Sequence, residues 1–268
     1  LRHDYLIYAA ALLLLVAVEV MCVVGMGARR WVDLGLFQLQ PSEVMKIAMV
    51  LALARFYHSL PLEEVGRMRW LVVPAVLILV PVALVMRQPD LGTAILLLAT
   101  ATAMLLLAGV RLWKFAVAGG AVLLAIPVAW RFMLHGYQKD RVLTYLNPER
   151  DPLGAGYHIM QSKIALGSGG LFGKGFMQGT QSHLAFLPER QTDFIFTMLA
   201  EEFGLVGCLG LLGLYVLVIA YGYAIAVRSR SQFGRLLAAG VISTFFLYVF
   251  INMAMVMGLI PVVGVPLP

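Results

Sequence analysis

The stretch LPERQTDFIFTMLAEE, residues 187–202, marks the point where a long polar segment gives way to an apolar run. Asp193 lies at that junction, four residues after Glu189. The polar segment covers residues 135–193, and a loop this long between apolar runs is more often a working surface than a spacer. Thr192 and Asp193 also form a good helix N-cap sequence. The acid therefore has two interpretations, a reactive group and a helix cap, and local sequence leaves both open.

The composition is typical of a polytopic membrane protein. Of the 268 residues, 61% are hydrophobic and only 13% are charged, which is far too apolar for an ordinary soluble domain. The net charge is +6, and the basic residues form short clusters between apolar runs. This pattern favours contact with anionic lipid head groups and argues against nucleic acid as a partner.

The apolar runs predict an all-α membrane protein with about seven transmembrane helices. We expect one integral membrane domain over residues 1–268, with a large extracytoplasmic loop at 135–193. Phe194–Val227 is too long for one straight span, and Gly204, Gly207 and Gly210 suggest a bend or close helix packing near its start. The second run is half polar and is expected to face protein or a water-filled cavity. The runs are Tyr5–Met26, Pro41 to about His58, Trp70–Met86, Leu91–Val110, Trp113–Leu134, Phe194–Val227 and Arg235–Leu259.

Basic residues in the short connections predict the orientation. One side carries eight and the other carries three, and the richer side is expected to be cytoplasmic. The long loop then lies on the extracytoplasmic side of the membrane. The eight are Arg55, Arg67, Arg69, Arg111, Lys114, Arg228, Arg230 and Arg235, and the three are Arg29, Arg30 and Arg87.

The long loop itself contains two recognisable features. Tyr157–Leu166 predicts a short amphipathic helix on the membrane surface, with Ile159 and Ala165 on its apolar face and Ser162 on its polar face. Residues 167–175 are glycine-rich but lack the Gly-Lys-Ser/Thr ending of a nucleotide-binding loop. Turns that need positive φ are the favoured interpretation of this stretch.

Charged residues near the apolar runs are expected to have partners, because an acid or base in a membrane is costly when it is unpaired. Glu43 and Lys46 share a helix face at i,i+3. Glu201 is expected to pair with a base, for which Lys46 and the arginines are candidates. Asp90 lies in the tight polar turn at residues 87–93 and fits a turn-forming role.

Together these motifs resemble the SEDS (shape, elongation, division, sporulation) family, and most closely its rod-elongation branch. The resemblance covers essentially the whole chain, and the order and spacing of the motifs are more specific than any one of them. The matching segments are Trp31, QPSE from Gln40 with Lys46, QPDLG from Gln88, DPLGAGY from Asp151 with QSK from Gln161, GTQS from Gly179, LPERQTDFIF from Leu187 and AEE from Ala200.

The resemblance implies a peptidoglycan glycosyltransferase of the bacterial plasma membrane. It would polymerise lipid II on the outer face, with loss of polyprenyl pyrophosphate, and work with a class B penicillin-binding protein that crosslinks the strands. The family fold has ten helices, of which this chain matches the third to the ninth. Two helices before Leu1 and one after Pro268 are therefore expected in a full-length protein.

The resemblance also implies the site residues. Asp193 matches the family's essential acid and is expected to be the general base. The leaving pyrophosphate is expected to be stabilised by cationic side chains, or by a divalent cation such as Mg²⁺ or Mn²⁺. The expected substrate-binding residues are Arg30, Trp31, Glu43, Lys46, Asp90, Arg141, Glu189 and Glu201.

Two other functions remain open at this stage. A lipid II flippase would also use charged groups within helices, and a non-catalytic scaffold could position the penicillin-binding protein. A transporter needs polar groups on both sides of the membrane, whereas these motifs crowd one side. A scaffold needs Asp193 only as a cap, so its replacement would be nearly silent.

Overall fold

The computed structural model describes residues 3–21, 32–33, 38–61, 63–88, 90–132, 136–147, 155–179 and 192–268. Across these ranges the chain forms nine α helices and one antiparallel pair of two-residue strands, β1 (Val32–Asp33) and β2 (Gln38–Leu39). The helices are α1 (Asp4–Met21), α2 (Pro41–His58), α3 (Met68–Arg87), α4 (Leu91–Ala108), α5 (Leu112–Phe132), α6 (Gly136–Leu146), α7 (Ala155–Ser168), α8 (Ile195–Arg228) and α9 (Gln232–Val256). The all-α prediction is confirmed.

Five of the described helices, α3, α4, α5, α8 and α9, are long and apolar enough to cross a membrane. They coincide with the last five predicted runs. The first two predicted spans correspond to α1 and α2, which do not meet the same criteria within the described residues, so the count of seven stays a prediction. α3 accommodates Pro74 and Pro81 within its helix, as membrane helices commonly do.

The chain divides into two compact units. The first comprises residues 1–114 and 220–247, and α2 lies at its centre against α1, α3 and α4. Met45, Met49 and Leu53 of α2 are fully buried, so the prediction that this half-polar helix faces protein is confirmed. α9 approaches closely at Gly240, where a Cβ atom would lie 2.7 Å from Val50 Cγ1.

The second unit comprises residues 115–219 and 248–268. Its core joins the start of α8 to the end of α9 through Phe194, Phe196, Met255 and Val256. Side chains from the segment after α9 pack against this core, among them Ile260, Val262, Val263 and Leu267. The start of α8 is thus surrounded by chain that is distant in sequence.

The long segment at 135–193 is more helical than predicted. α6 was not anticipated, because its sequence is polar and lacks an apolar run. α7 matches the predicted amphipathic helix, but the assignment of Ser162 to its polar face is wrong. Ser162 is fully buried, and Ile159 and Ala165 are also buried, so this side of α7 packs on protein instead of lying on the membrane surface.

Candidate functional site

Asp193 occupies the turn that leads into α8. The carbonyl oxygen of Phe194 accepts hydrogen bonds from the amides of Thr197 (3.0 Å) and Met198 (3.3 Å), which closes the first turn of the helix. Phe194 and Phe196, both within that turn, are buried. The Asp193 side chain is half-buried. Apolar anchoring of its neighbours therefore fixes the acid at the helix start.

Asn252 of α9 holds the Asp193 backbone directly. Its Nδ2 donates to the carbonyl oxygen of Asp193 at 2.9 Å and to that of Val265 at 2.7 Å. The side chain is fully buried, and two carbonyl acceptors require the NH₂ group on this side of the amide. One asparagine thus ties the start of α8 to the segment after α9.

The segment after α9 also passes close to the Asp193 carboxylate. A Cβ atom on Gly264 would lie 3.5 Å from Asp193 Oδ2. Gly264 has φ +70°, a conformation that glycine adopts without steric cost. A side chain at this position would therefore be strained, and its Cβ atom would lie in van der Waals contact with the carboxylate.

Sequence reasoning missed Asn252. The available signal was a carboxamide inside the apolar run Arg235–Leu259, because a buried amide without partners is costly. The sequence could not say which carbonyl groups it would bond, since both acceptors belong to other segments.

A hydroxyl pair connects α7 to the same region. Ser162 Oγ lies 3.0 Å from Thr197 Oγ1 and donates to the carbonyl oxygen of Val256 at 2.9 Å. Because the single proton of Ser162 is used on Val256, Thr197 must donate to Ser162. Both hydroxyl side chains are fully buried, so the contact joins α7, α8 and α9 without water.

α8 is interrupted at Gly204, where φ is +65° and ψ is −160°. An unbroken helix would bond the amides of Leu205 and Val206 to the carbonyl groups of Glu201 and Glu202. Here those amides bond instead to the carbonyl oxygens of Gly170 (3.0 Å) and Leu171 (3.1 Å). The predicted bend is confirmed, and it is a break in the hydrogen-bond ladder.

The same glycine-rich segment supplies the missing donors. The carbonyl oxygens of Glu201 and Glu202 accept from the amides of Lys174 and Gly175, both at 3.0 Å. The two amides and two carbonyl groups that the break releases from the helix are therefore all hydrogen-bonded to the backbone of the glycine-rich segment. Gly173, at φ +79°, has no room for a Cβ atom against the Glu202 carbonyl.

An ion pair reinforces this junction. Lys174 Nζ lies 2.7 Å from Glu201 Oε1, with 29% of the lysine side chain and 1% of the glutamate side chain exposed. The expectation that Glu201 pairs with a base is confirmed, although Lys174 was not among the candidates. The role of Glu201 in substrate binding stays a prediction.

In the first unit, Asp90 caps α4. Its Oδ1 accepts a hydrogen bond from the Thr93 amide at 3.1 Å. Its Oδ2 accepts from the Thr93 hydroxyl at 2.9 Å and lies 3.5 Å from Gln40 Nε2. Asp90 is buried, and its turn-forming role is confirmed. Its expected contact with substrate is not tested by this geometry.

Glu43 and Lys46 form the predicted pair on α2. The Nζ–Oε1 distance is 2.6 Å, with 3% of the lysine and 49% of the glutamate side chain exposed. Glu43 thus brings a half-exposed negative charge to a buried cation. Glu43 is thus a partner of Lys46, as the i,i+3 spacing predicts.

The side chains of the remaining predicted site residues are not described. Arg30, Trp31 and Glu189 lie outside the described residues, and Arg141 lies in α6 with only its backbone described. Within the described ranges, no group of three or more His, Cys, Asp or Glu side chains is arranged to hold a metal ion. The divalent cation stays a prediction.

Comparison with known proteins identifies relatives over nearly the whole chain. The family profile described as "Cell cycle protein" (FtsW/RodA/SpoVE) matches residues 2–268. The peptidoglycan glycosyltransferase MrdB of Escherichia coli (strain K12) is 51% identical over 266 residues, covering 98% of this chain and 70% of that protein. Stage V sporulation protein E of Bacillus subtilis (strain 168) is 39% identical over 263 residues, covering 96% and 69%.

Solved structures show the same fold. A chain in a peptidoglycan synthase complex that coordinates polymerization and crosslinking has a TM-score of 0.83 and 34% identity, covering 100% of this chain and 74% of that one. The rod shape-determining protein RodA of Thermus thermophilus has a TM-score of 0.69 and 31% identity, covering 100% and 70%.

The Lys174–Glu201 pair makes a prediction about stability. Lys174→Met leaves a buried carboxylate without this cation, and we expect a loss of about 3 kcal/mol, at the lower end for a broken buried pair because Lys174 is partly exposed. Adding Glu201→Gln removes the charge, so the double variant should melt at a higher temperature than Lys174→Met alone. Lys139→Met on α6 is the control. Thermal unfolding in detergent that ranks the double variant below Lys174→Met would contradict this account.

Proposed function

The chain belongs to the FtsW/RodA/SpoVE family, and on that premise we propose that it is a peptidoglycan glycosyltransferase that polymerises lipid II. The 51% identical relative is named a peptidoglycan glycosyltransferase and aligns over 98% of the chain. The observation that carries the proposal is the placement of Asp193, a half-buried carboxylate at a helix start whose backbone is held by a fully buried asparagine.

The proposed reaction is a single displacement. The 4-hydroxyl of a GlcNAc unit attacks the anomeric carbon of a MurNAc unit that is α-linked to polyprenyl pyrophosphate. The new β-1,4 bond forms as the bond from that carbon to the pyrophosphate oxygen breaks. The hydroxyl proton goes to the Asp193 carboxylate, and polyprenyl pyrophosphate leaves with the bonding electron pair. Inversion at the anomeric carbon is consistent with one step.

Asp193 is suited to the role of general base because its position is fixed and its side chain is partly accessible. Helix packing holds Phe194 and Phe196, and Asn252 holds the Asp193 carbonyl. A base held in a defined place needs no reorganisation when the hydroxyl arrives. General-base assistance of this kind typically contributes about 10²–10⁴-fold to the rate.

Cationic side chains are proposed to stabilise the leaving pyrophosphate. Lys46 is the described candidate, oriented by Glu43 at 2.6 Å, and Arg30 and Arg141 complete the proposed set. A divalent cation would supply the same neutralisation of charge.

The membrane setting follows from the same proposal. We place the protein in the bacterial plasma membrane as a multi-pass protein, with the site on the extracytoplasmic side. The excess of basic residues in the opposite connections supports this orientation. A class B penicillin-binding protein is the proposed partner, and the likeness to a chain of a peptidoglycan synthase complex supports it.

Replacement of Asp193 tests the proposed base. We expect Asp193→Asn and Asp193→Ala to lower glycan polymerisation from labelled lipid II by about 10²–10⁴-fold, with the complex intact. Asp140→Asn, an exposed acid on α6, is the control and should retain activity. The assay uses the full-length protein with its penicillin-binding partner, and complex formation is measured in parallel. Full polymerisation by both variants would return Asp193 to a capping role and favour the flippase or scaffold.

Asn252 is expected to act as a positioning residue. Asn252→Leu removes both hydrogen bonds, so the Asp193 backbone loses its fixed place, and kcat should fall by up to about 10²-fold with little change in KM. Ser243→Ala is the matched control, because it removes another buried polar side chain of α9, whose part-buried hydrogen bond to Tyr223 is 2.9 Å long. Steady-state kinetics and thermal unfolding separate the two. Equal kcat in both variants at equal stability would show that Asn252 is only structural.

A further inference from the structure

The glycine-rich segment, taken here as residues 169–179, carries large apolar side chains on its surface. Among residues 169–179, Phe172 and Phe176 are 80% and 71% exposed, and Leu171 and Met177 are 61% and 62% exposed. We call these four side chains the apolar tip. Isolated apolar residues at a surface are ordinary, but four within seven residues form a patch that calls for a covering partner.

The position of the apolar tip relative to the membrane can be read from α8. The stretch Leu205–Val227 contains no Asp, Glu, Lys or Arg, and at 1.5 Å per residue it is about 34 Å long, close to the thickness of a bilayer core. Glu201 and Glu202 come just before it and Arg228 just after it. The break at Gly204 therefore lies at the boundary between head groups and acyl chains.

Hydrogen bonds place the glycine-rich segment at that same boundary. Its residues 170, 171, 174 and 175 bond to residues 201, 202, 205 and 206 of α8. The neighbouring side chains Phe203, Leu205 and Val206 are 45%, 48% and 56% exposed. The apolar tip is thus continuous with the apolar surface of a membrane-crossing helix, and Phe176 lies 6.2 Å from Phe203 between ring centroids.

The polar groups of the segment are arranged to tolerate insertion into lipid. Irregular backbone at membrane depth is stable only when its amides and carbonyls are bonded, and four such groups bond to α8. Lys174 is the only charged residue among residues 169–179, and it is paired with Glu201 at 2.7 Å. Entry of the apolar tip into lipid therefore does not bury this charge without a counterion.

The backbone conformation of Met177 also supports contact of the apolar tip with lipid. Its φ of +58° makes it the one non-glycine residue with positive φ among the described residues, and this conformation costs about 1–2 kcal/mol. Asparagine or glycine would relieve the strain in water. An apolar side chain in this place is consistent with a need for contact with an apolar medium.

We propose that the apolar tip is a membrane wedge: Leu171, Phe172, Phe176 and Met177 insert among the acyl chains of the leaflet next to Leu205. The wedge anchors the glycine-rich segment and, through the exchanged hydrogen bonds at Gly204, sets the depth of the half-helix that starts beside Asp193. Lipid is the proposed occupant because the tip lies at the level of the acyl chains by its own bonding to α8, next to side chains of α8 that are themselves exposed. The inference depends on α8 spanning a membrane and not on the proposed glycosyltransferase activity.

Spin labelling tests the wedge. Phe172→Cys and Phe176→Cys are labelled with a nitroxide in full-length protein whose native cysteines are replaced by alanine, reconstituted in phosphatidylglycerol-phosphatidylethanolamine nanodiscs. Power saturation compares collisions with oxygen, which enters lipid, and with a water-soluble nickel complex. Leu214→Cys, at a position 63% exposed within the span, is the lipid reference. Asp140→Cys, exposed on α6, is the water reference.

The wedge predicts that labels at positions 172 and 176 match position 214, with a high ratio of oxygen to nickel accessibility. A ratio that matches position 140 would place the tip in water and overturn the proposal. Low access for both reagents would show that protein covers the tip, which also overturns it. Each label is measured again with the penicillin-binding partner bound, and loss of oxygen access in that state would assign the surface to the partner.

Discussion

The structure around Asp193 depends on the exchange of hydrogen bonds at Gly204. A break in a membrane helix releases amides and carbonyls, and each one left unpaired in an apolar environment costs several kcal/mol. Here the amides of Leu205 and Val206 and the carbonyls of Glu201 and Glu202 all find partners in the glycine-rich segment. The break is therefore stable only while that segment stays in place, and the half-helix that begins beside Asp193 is fixed by the same bonds.

Three further contacts restrict this half-helix. Asn252 holds the Asp193 carbonyl, Thr197 shares a buried hydrogen bond with Ser162, and Glu201 pairs with Lys174. They come from α9, α7 and the glycine-rich segment and act along two turns of α8. A carboxylate held by surroundings of this kind is preorganised, which is the condition for effective general-base catalysis. The segment after α9 also passes beside the carboxylate at Gly264.

Local sequence patterns predicted what local physics determines. Apolar runs predict α3, α4, α5, α8 and α9, and Asp90 is predicted to be a turn residue. The glycines from Gly204 to Gly210 predict a bend or close packing, of which the structure shows a bend at Gly204. Long-range contacts cannot be predicted from local patterns. Asn252 bonds to Asp193, 59 residues away, and Lys174 bonds to Glu201, 27 residues away. α6 was missed because its polar sequence lacks the apolar run used to find helices, and Ser162 was assigned to water because its partners lie on other helices. The family resemblance, and not the spacing of residues, carried the function.

Amide hydrogen exchange of the protein in nanodiscs tests the exchange at Gly204 most directly. The account predicts that the amides of Lys174, Gly175, Leu205 and Val206 are protected in the wild type. They should lose protection together in Gly173→Ala, because the Cβ atom displaces the Glu202 carbonyl. Gly167→Ala, where a Cβ meets open space, should leave all four protected. Rapid exchange at Lys174 and Gly175 in the wild type, or loss of protection in one segment alone in Gly173→Ala, would contradict the account.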